Sequence, residues 1–361
     1  MISAGRVEDP VDPRGLLQII YTSGTESRPK GAMLTHEAVL WEYHSCIIDC
    51  EWTPSEVVLH ALPLFHCAQL DCMMGPALMV GATNVVTSSA DPDRTLPLMA
   101  RHGVTSFFAP PTIWIALLGS PKFAEHDLSR LEKGYYGASI MPVEVLENIR
   151  HKLPRVRLWN LYGQTEIAPV ATILFPEEHE ARLGSAGRPT LHVETRIVDD
   201  AMNDVPVGDV GEIVHRSPQL LVGYWQDEPR TAEAFAGGWF HSGDLGVMDA
   251  EGYITIVDRK KDMIKSGGEN VASREVEEVI YTHPAVFEVA VIGIPHPTWI
   301  EMVAAFVVVR PGHSLDEDAL LSHCRTKLAG FKCPKRILFI DRLPRSASGK
   351  ILKRELRELG A

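Results

Sequence analysis

Short apolar runs alternate with segments of helical pattern from residue 16 to about residue 160, and this alternation restricts the fold more than any other feature. The runs predict strands at 16–21, 57–62, 83–86, 104–108 and 156–161, and the segments between them predict helices at 35–49, 91–102, 111–118 and 142–153. Parallel strands need long crossover connections, which helices commonly provide. The pattern therefore predicts an α/β fold with a largely parallel sheet.

The second half of the chain has a different pattern. From about 190 to 258 short strands and turns follow one another, as in HVETRIVDD, GEIVHR and GYITIVD. A charge cluster at 258–262 and the glycines at 267 and 268 then precede a stretch that predicts a small α+β unit, with Ser314 and Glu317 as a capping box before a helix. We expect a large domain at 1–260 and a small domain at 261–361.

Composition excludes some classes of function. The 361 residues include 35 lysines and arginines against 47 aspartates and glutamates, for a formal net charge of −12. Such an acidic balance disfavours binding to nucleic acid, which depends on cationic contacts to phosphates. Six cysteines without CxxC spacing predict reduced thiols. The polar stretch 1–13 lacks a signal-peptide pattern, and no apolar run is long enough to span a bilayer, so we expect a cytoplasmic protein.

Five polar, glycine-bearing segments stand out along the chain: YTSGTESRPKG at 21–31, NLYGQTE at 160–166, WFHSGDLG at 239–246, DRKKDMIKSGGEN at 258–270 and PRSASGK at 344–350. The first is not a Walker A motif, because Gly31 rather than Ser or Thr follows Lys30. Glycines, hydroxyls and a lysine can nevertheless approach a polyphosphate. Taken alone, this segment fits an ordinary surface loop at least as well.

In this order, the five segments resemble the successive core motifs of the adenylate-forming superfamily, which contains acyl-CoA synthetases, peptide-synthetase adenylation domains and luciferases. The resemblance extends from about residue 16 to the end of the chain and is closest to bacterial fatty-acid CoA ligases. It implies a large layered N-terminal domain, here truncated at its start because the family carries a long segment before the first motif, and a small mobile α+β C-terminal domain. Glu26 and Ser27 replace the threonine and glycine that the family usually has in the first motif.

The implied activity is the ATP-dependent conversion of a carboxylic acid, expected to be a medium- or long-chain fatty acid, to an acyl-adenylate, followed by transfer to the thiol of coenzyme A and release of AMP. The implied catalytic residues are Lys350, Thr165 and Glu166, and Mg²⁺ would bind Glu166 and Thr25. The resemblance implies nucleotide contacts from Thr22, Ser23, Gly24, Thr25, Lys30, Gly137, Ala138, Tyr162, Gly163, Gln164, Asp244 and Arg259. Taken alone, Glu166 also fits a helix N-terminal carboxylate and Lys350 a basic tail.

The remaining implied roles concern domain movement, the acyl group and regulation. Lys261 matches the family's hinge, and Lys265, Gly267 and Gly268 would reach the site during thioester formation. His66, Phe108 and Tyr136 would border the acyl pocket, although His66 also fits a buried core histidine. PRSASGK resembles a sequence that protein acetyltransferases modify, which implies such an enzyme as a partner acting at Lys350. Two alternatives stay open: a truncated, non-catalytic nucleotide-binding relative, and a ligase for an aromatic acid.

Overall fold

The computed structural model describes residues 10–22, 29–137, 141, 143–345 and 351–360. The elements up to residue 189 are, in chain order, β1 (Leu16–Thr22), β2 (Lys30–Thr35), α1 (His36–Asp49), β3 (Val57–His60), α2 (Cys67–Gln69), α3 (Gly75–Val80), β4 (Thr83–Val86), α4 (Pro92–His102), β5 (Ser106–Phe108), α5 (Pro111–Gly119), β6 (Lys133–Gly137), α6 (Val143–Lys152), β7 (Arg157–Gly163), β8 (Val170–Leu174) and β9 (Arg188–Pro189). A π-helical turn, Leu70–Met74, joins α2 to α3.

The later elements are β10 (Glu194–Val198), β11 (Gly211–Arg216), β12 (Gly223–Tyr224), α7 (Glu228–Ala234), β13 (Phe240–Met248), β14 (Ile254–Arg259), β15 (Ile264–Ser266), β16 (Glu269–Val271), α8 (Ser273–Tyr281), β17 (Val286–His296), β18 (Ile300–Val309), α9 (Glu317–Arg325), β19 (Arg336–Phe339) and α10 (Lys353–Gly360). Short 3-10 turns lie at Phe123–Glu125, Thr165–Ile167, Pro176–Glu178 and Ala236–Gly238.

A seven-stranded sheet with the order β4-β3-β5-β6-β7-β8-β9 organises the first part of the chain. Its strands from β4 to β7 run parallel, and β8 and β9 are antiparallel to their neighbours. Helices cover both faces, so that alternate residues of the strands pack into two separate apolar clusters. The predicted α/β class with a largely parallel sheet is confirmed.

Strand β6 was not predicted from the sequence, although it lies in the middle of this sheet. Its residues KGYYG contain no aliphatic side chain, so the apolar pattern that indicates a buried strand is missing. Close packing explains the glycine at its second position, because a Cβ on Gly134 would lie 2.7 Å from Cδ2 of Leu158 on the neighbouring strand.

The first predicted strand does not join the parallel sheet. Strands β1 and β2 form an antiparallel pair in which Thr22 lies opposite Lys30, and β12 pairs with the other edge of β2. The first polar motif therefore connects two strands, whereas its sequence had suggested a strand followed directly by a helix. Helix α1 begins after β2, and the Thr35 hydroxyl accepts a hydrogen bond from the Ala38 amide at 3.1 Å.

Two further sheets form the rest of the chain. Strands β10, β11, β13 and β14 make an antiparallel sheet, and β15 to β19 make a mixed sheet in which only β18 and β19 pair in parallel, with helices α8 and α9 packed against it. The cap of α9 is Asp316, whose Oδ1 accepts from the Ala319 amide at 2.8 Å. The predicted capping box at Ser314 is therefore wrong, because a carboxylate two residues later satisfies the first turn. A domain boundary at residue 260 stays a prediction.

The helices are short relative to the thickness of a bilayer. Among those that the structure describes, none is long and apolar enough to cross a membrane.

Candidate active site

The carboxyl end of β7 places two candidate catalytic residues in a buried turn. The strand ends at Gly163, and Thr165 and Glu166 begin the 3-10 turn that follows. A Cβ on Gly163 would lie 1.9 Å from the carbonyl oxygen of Pro169, so a residue without a side chain is required where the backbone doubles back. Thr165 and Glu166 are both buried. The tight turn therefore presents a hydroxyl and a carboxylate beside each other at the sheet edge.

Tyr224 connects Glu166 with Lys30. The tyrosine hydroxyl donates a hydrogen bond to Oε1 of Glu166 at 3.0 Å, and the Lys30 ammonium lies 5.0 Å from the centre of the tyrosine ring. Burial, followed by the negative charge of Glu166, raises the pKa of Tyr224, so its hydroxyl stays a donor at neutral pH. Lys30, predicted to contact the nucleotide, and Glu166, predicted to bind the metal ion, therefore both lie next to Tyr224.

Sequence reasoning missed Tyr224. Its strand contains only two residues, Gly223 and Tyr224, and pairs with Met33 and Ala32 of β2. No periodicity can be recognised in so short a strand, so its sequence carries no signal for this role.

A second group of predicted residues meets around Asp244. The Tyr162 hydroxyl donates to Oδ2 of Asp244 at 2.7 Å, and Nε of Arg259 lies 3.1 Å from Oδ1. Asp244 and Arg259 face each other across β13 and β14. Burial, and then the charge of Asp244, raises the pKa of Tyr162, which keeps its hydroxyl protonated. Each carboxylate oxygen is held by one donor and has lone-pair capacity for another.

Thr165 also contacts a thiol that the sequence did not single out. Its Oγ1 lies 3.2 Å from Sγ of Cys67, and burial raises the pKa of Cys67 to about 12, so the thiol is protonated. His66 precedes this cysteine, and burial lowers its pKa, which favours the neutral imidazole. The segment LPLFH at 62–66, which ends in this histidine, therefore reaches the turn at Thr165 through the residue that follows it.

One buried donor in the same turn has no partner. The Nε2 atom of Gln164 makes no hydrogen bond to the residues that the structure describes. An unpaired buried donor costs about 1–3 kcal/mol. Because Gln164 lies between Gly163 and Thr165, this donor suits an acceptor atom of a nucleotide held at the turn.

The predicted acyl-pocket residues are not brought together. Phe108 lies opposite Tyr135 in the sheet and packs into the cluster that contains Trp159, whereas Tyr136 packs with Trp114 on the other face. The Tyr136 hydroxyl lies 3.0 Å from Nε2 of His179. One pocket wall that contains both Phe108 and Tyr136 is therefore not formed, because adjacent positions of a strand face opposite sides of its sheet.

Gly137 ends β6 in close contact with β7. A Cβ at this position would lie 2.2 Å from the carbonyl oxygen of Leu161. The glycine therefore allows the two strand ends to approach at the edge where Gly163 ends β7.

The predicted hinge lies between two anchored residues. Before Lys261, the Lys260 ammonium is 2.9 Å from Asp200 and 3.1 Å from Glu212. After it, Asp262 pairs with Arg357 of α10.

The turn that follows β15 depends on its glycines. Gly267 and Gly268 have φ values of 63° and 90°, a region that favours glycine. The Lys265 amide donates to Oε2 of Glu301 at 2.7 Å, which fixes the start of the turn. The hinge and thioester-state roles of Lys261, Lys265, Gly267 and Gly268 stay predictions.

Several predicted residues lie outside the part of the chain that the structure describes. They are Ser23, Gly24, Thr25, Ala138 and Lys350, together with Glu26 and Ser27.

Comparison with known protein families gives two matches. The model of the AMP-binding enzyme family matches residues 3–225. The model of the AMP-binding enzyme C-terminal domain matches residues 275–350. Together they span both halves of the chain in the order that the motifs predicted.

Individual relatives agree with this assignment. The chain is 40% identical over 359 residues to a feruloyl-CoA synthase of an Amycolatopsis species, covering 99% of this chain and 73% of the relative. It is 38% identical over 361 residues to a long-chain-fatty-acid–CoA ligase of Escherichia coli O6:H1, covering 98% of this chain and 63% of the relative. A crystal structure of ATP-bound MatB from Rhodopseudomonas palustris has a TM-score of 0.90 at 33% identity, over 97% of this chain and 69% of that one. The chain therefore belongs to the AMP-binding enzyme family of the adenylate-forming superfamily, as an AMP-forming acyl-CoA synthetase.

Proposed function

We propose that this protein activates a carboxylic acid with ATP and then transfers the acyl group to coenzyme A. The observation that carries the proposal is the arrangement around Asp244. Its carboxylate is fixed by Tyr162 and Arg259, and Tyr162 lies on β7, the strand that leads into the turn at Thr165 and Glu166. A carboxylate held in this way suits the two hydroxyls of a ribose, as at dinucleotide sites.

In the first half-reaction, a carboxylate oxygen of the acid attacks the α-phosphorus of ATP. An oxygen–phosphorus bond forms, the bond from the α-phosphorus to the bridging oxygen breaks, and pyrophosphate leaves. Both reactants are anions, so fixed positive charge and fixed donors are needed where the charge develops. In this proposal Lys30 and the first motif hold the β- and γ-phosphates, Thr165 donates to the α-phosphate, and Lys350 bridges it to the acid.

The residues fit a magnesium ion. Glu166 offers a buried carboxylate oriented by Tyr224, and oxygen ligands suit a hard cation. Glu166 and Thr25 would hold the ion, and Thr25 lies outside the described residues. A bound ion would neutralise charge on the triphosphate.

In the second half-reaction, the coenzyme A thiol attacks the acyl carbon and loses its proton. A sulfur–carbon bond forms, the bond from the acyl carbon to the phosphate oxygen breaks, and AMP leaves. We propose that rotation at Lys261 withdraws Lys350 and brings the turn at Lys265 to Gly268 towards the site. Domain rotation of this kind is a common way to separate two chemical steps.

Two classes of acid fit equally well. One relative is a long-chain-fatty-acid–CoA ligase and another is a feruloyl-CoA synthase, whose acyl group is aromatic. Neither of these two relatives is named for an amino acid substrate. We therefore propose a fatty or an aromatic carboxylic acid as the substrate.

Pyrophosphate release from ATP across a panel of acids tests the function. The panel contains octanoate, palmitate, ferulate and the common α-amino acids, with coenzyme A present or absent. We expect release with a fatty or aromatic acid and thioester only when coenzyme A is added. Turnover confined to amino acids would overturn the substrate proposal, and ATP binding without release for any acid would identify a non-catalytic relative.

Two further predictions stay open, one from the resemblance and one from the sequence pattern. Acetylation of Lys350 by a lysine acetyltransferase would remove its positive charge and lower adenylation. A cytoplasmic location also stays a prediction.

A further inference from the structure

The C-terminal helix α10 is tied to the first residue after the predicted hinge. Nη2 of Arg357 lies 3.0 Å from Oδ1 of Asp262, whose side chain is only 12% exposed. Although burial alone would raise the pKa of Asp262, the charges of Lys353, Arg357 and Lys261 lower it, so the carboxylate stays ionised. An ion pair therefore joins α10 directly to the residue that follows Lys261.

A second tie fixes the other end of the same helix. The Lys353 ammonium lies 2.8 Å from Oε1 of Glu277 and 2.7 Å from the Ser273 hydroxyl, and both partners belong to α8. Glu277 in turn accepts from the Val291 amide of β17 at 2.8 Å. With one cation bound near each end, α10 is held in one orientation on the C-terminal sheet and helix.

The segment that ends in Lys350 is attached to this helix at its base. Arg345 and Ile351 form an antiparallel bridge, and the Leu352 amide donates to the Pro344 carbonyl at 2.9 Å. Arg345 also pairs with Glu288 of β17 at 2.6 Å. Arg345 and Ile351, which flank the segment, therefore lie side by side, and α10 begins two residues after Ile351.

Ser273 makes a further contact across the hinge. The Ser273 amide at the start of α8 donates to Oδ2 of Asp258, which precedes the hinge, while the Ser273 hydroxyl binds Lys353. Ser273 therefore connects a residue before the hinge to the helix that follows the Lys350 segment.

We propose that Asp262, Arg357 and Lys353 are positioning residues that fasten α10, and with it the base of the Lys350 segment, to the residues immediately after the hinge. Rotation at Lys261 then carries α10 and the Arg345–Ile351 bridge together with the residues after the hinge, so that the two attachment points of the Lys350 segment return to the same place in each cycle. The inference rests on the proposed function and deepens it. Displacement of a reacting group by about 1 Å can cost about 100-fold in rate.

The test separates the two half-reactions in Arg357→Gln, Asp262→Asn and Arg357→Lys. Adenylation is followed by acid-dependent ATP–pyrophosphate exchange, and thioester formation by supplying synthetic acyl-adenylate and coenzyme A. For the first two variants we expect kcat of adenylation to fall by about 10- to 100-fold, since Lys350 is displaced but not removed. We expect KM for ATP and the thioester step to stay within about threefold, and Arg357→Lys to recover most of the loss, because its charge can still reach Asp262.

Lys332→Gln is the matched control. It removes an ion pair of similar length, 2.6 Å to Glu275 of α8, which does not involve α10. We expect both half-reactions of this variant to equal those of the unmodified protein. Equal effects of Arg357→Gln and Lys332→Gln, or a parallel loss of both half-reactions together with a lower Tm, would show that the Asp262–Arg357 pair is only structural. An unmodified protein that catalyses neither half-reaction would instead overturn the proposed function.

Discussion

Two regions of this protein are held together in different ways. One is the nucleotide side, around Asp244 and Glu166, and the other is the hinge side, from Lys260 to the turn at Gly268. Asp244 and Glu166 are buried, and each accepts a hydrogen bond from a tyrosine hydroxyl, at 2.7 and 3.0 Å respectively. Around the hinge, Lys260 is half exposed and its partner Asp200 is 91% exposed. Exposed ion pairs contribute about 0–1 kcal/mol each, whereas a hydrogen bond to a charged group contributes about 1.5–3 kcal/mol. The tyrosine hydrogen bonds on the nucleotide side are therefore costly to break, whereas the exposed Lys260–Asp200 pair just before the hinge can be broken at low cost.

The largest expected effect follows from Asp244→Asn. The substitution removes the charge that would accept two ribose hydroxyls, and each such bond contributes about 1.5–3 kcal/mol. We expect the affinity for ATP in pyrophosphate exchange to fall by about 10²-fold or more, since 1.4 kcal/mol corresponds to a factor of about ten. Asp204→Asn is the control, because Asp204 is 68% exposed and its side chain pairs only with Arg196 among the described residues. Similar ATP affinity in both variants would contradict the assignment of the ribose site.

Substitution by alanine should lower the stability strongly at Gly163 and weakly at Gly268. A methyl group on Gly163 would collide with the Pro169 carbonyl, whereas one on Gly268 meets nothing within 4 Å. Gly163→Ala should therefore cost about 1–3 kcal/mol or more through forced backbone movement, and adenylation should fall with it. Gly268→Ala should cost about 1 kcal/mol, because its φ of 90° disfavours a side chain. Urea unfolding of both variants measures the difference, and equal losses would erase the contrast between the two regions.

Local patterns and ordered motifs predicted much of this molecule, but contacts between distant segments could not be predicted. The strands at 57–60 and 157–163 and helix α1 followed from apolar spacing, because a period of 2 or 3.6 is a local property. Tyr224 and Cys67 were missed, since their roles arise only when β12 and α2 meet the turn after β7. The opposite facing of Phe108 and Tyr136 was also missed, because β6 was not recognised and the register of its neighbours could not be assigned.

The next effect should come from two buried acids, Glu42 and Glu56, whose contributions to the free energy of unfolding should change with pH in opposite directions. Burial raises the pKa of Glu42 well above 4.5, so its contribution to stability is present below about 4.5 and is lost as the pH rises towards the raised value. Burial also opposes ionisation of Glu56, but Lys133, Ser106 and Thr105 lower its pKa, so its contribution is present above about 4.5 and lost as the pH falls. A tenfold change in the acid dissociation constant on folding corresponds to about 1.4 kcal/mol of stability.

Urea unfolding from well below pH 4.5, where Glu56 titrates in the folded protein, up to about pH 8 compares Glu42→Gln and Glu56→Gln with the unmodified protein. We expect the loss caused by Glu42→Gln to shrink as the pH rises and that caused by Glu56→Gln to shrink as the pH falls. Parallel curves for the two variants would show that at least one of these carboxyls titrates normally in the folded protein.

The smallest effect should be a gain in stability on the hinge side. Ile300 has a φ of 66°, a conformation that costs a β-branched residue about 1–2 kcal/mol, and its side chain is 66% exposed. The preceding carbonyl, of Trp299, accepts from the amides of Gly267 and Glu301, which holds the strained backbone against the glycine turn. Ile300→Gly removes the strain but adds about 0.5–1 kcal/mol of backbone entropy cost, so the net gain should be about 0.5–1 kcal/mol in urea unfolding. Val222→Gly, at an exposed position without a positive φ, should instead lose about that amount. If both variants lose stability equally, Ile300 is not strained in solution, and the hinge-side turn is as relaxed as the buried nucleotide side.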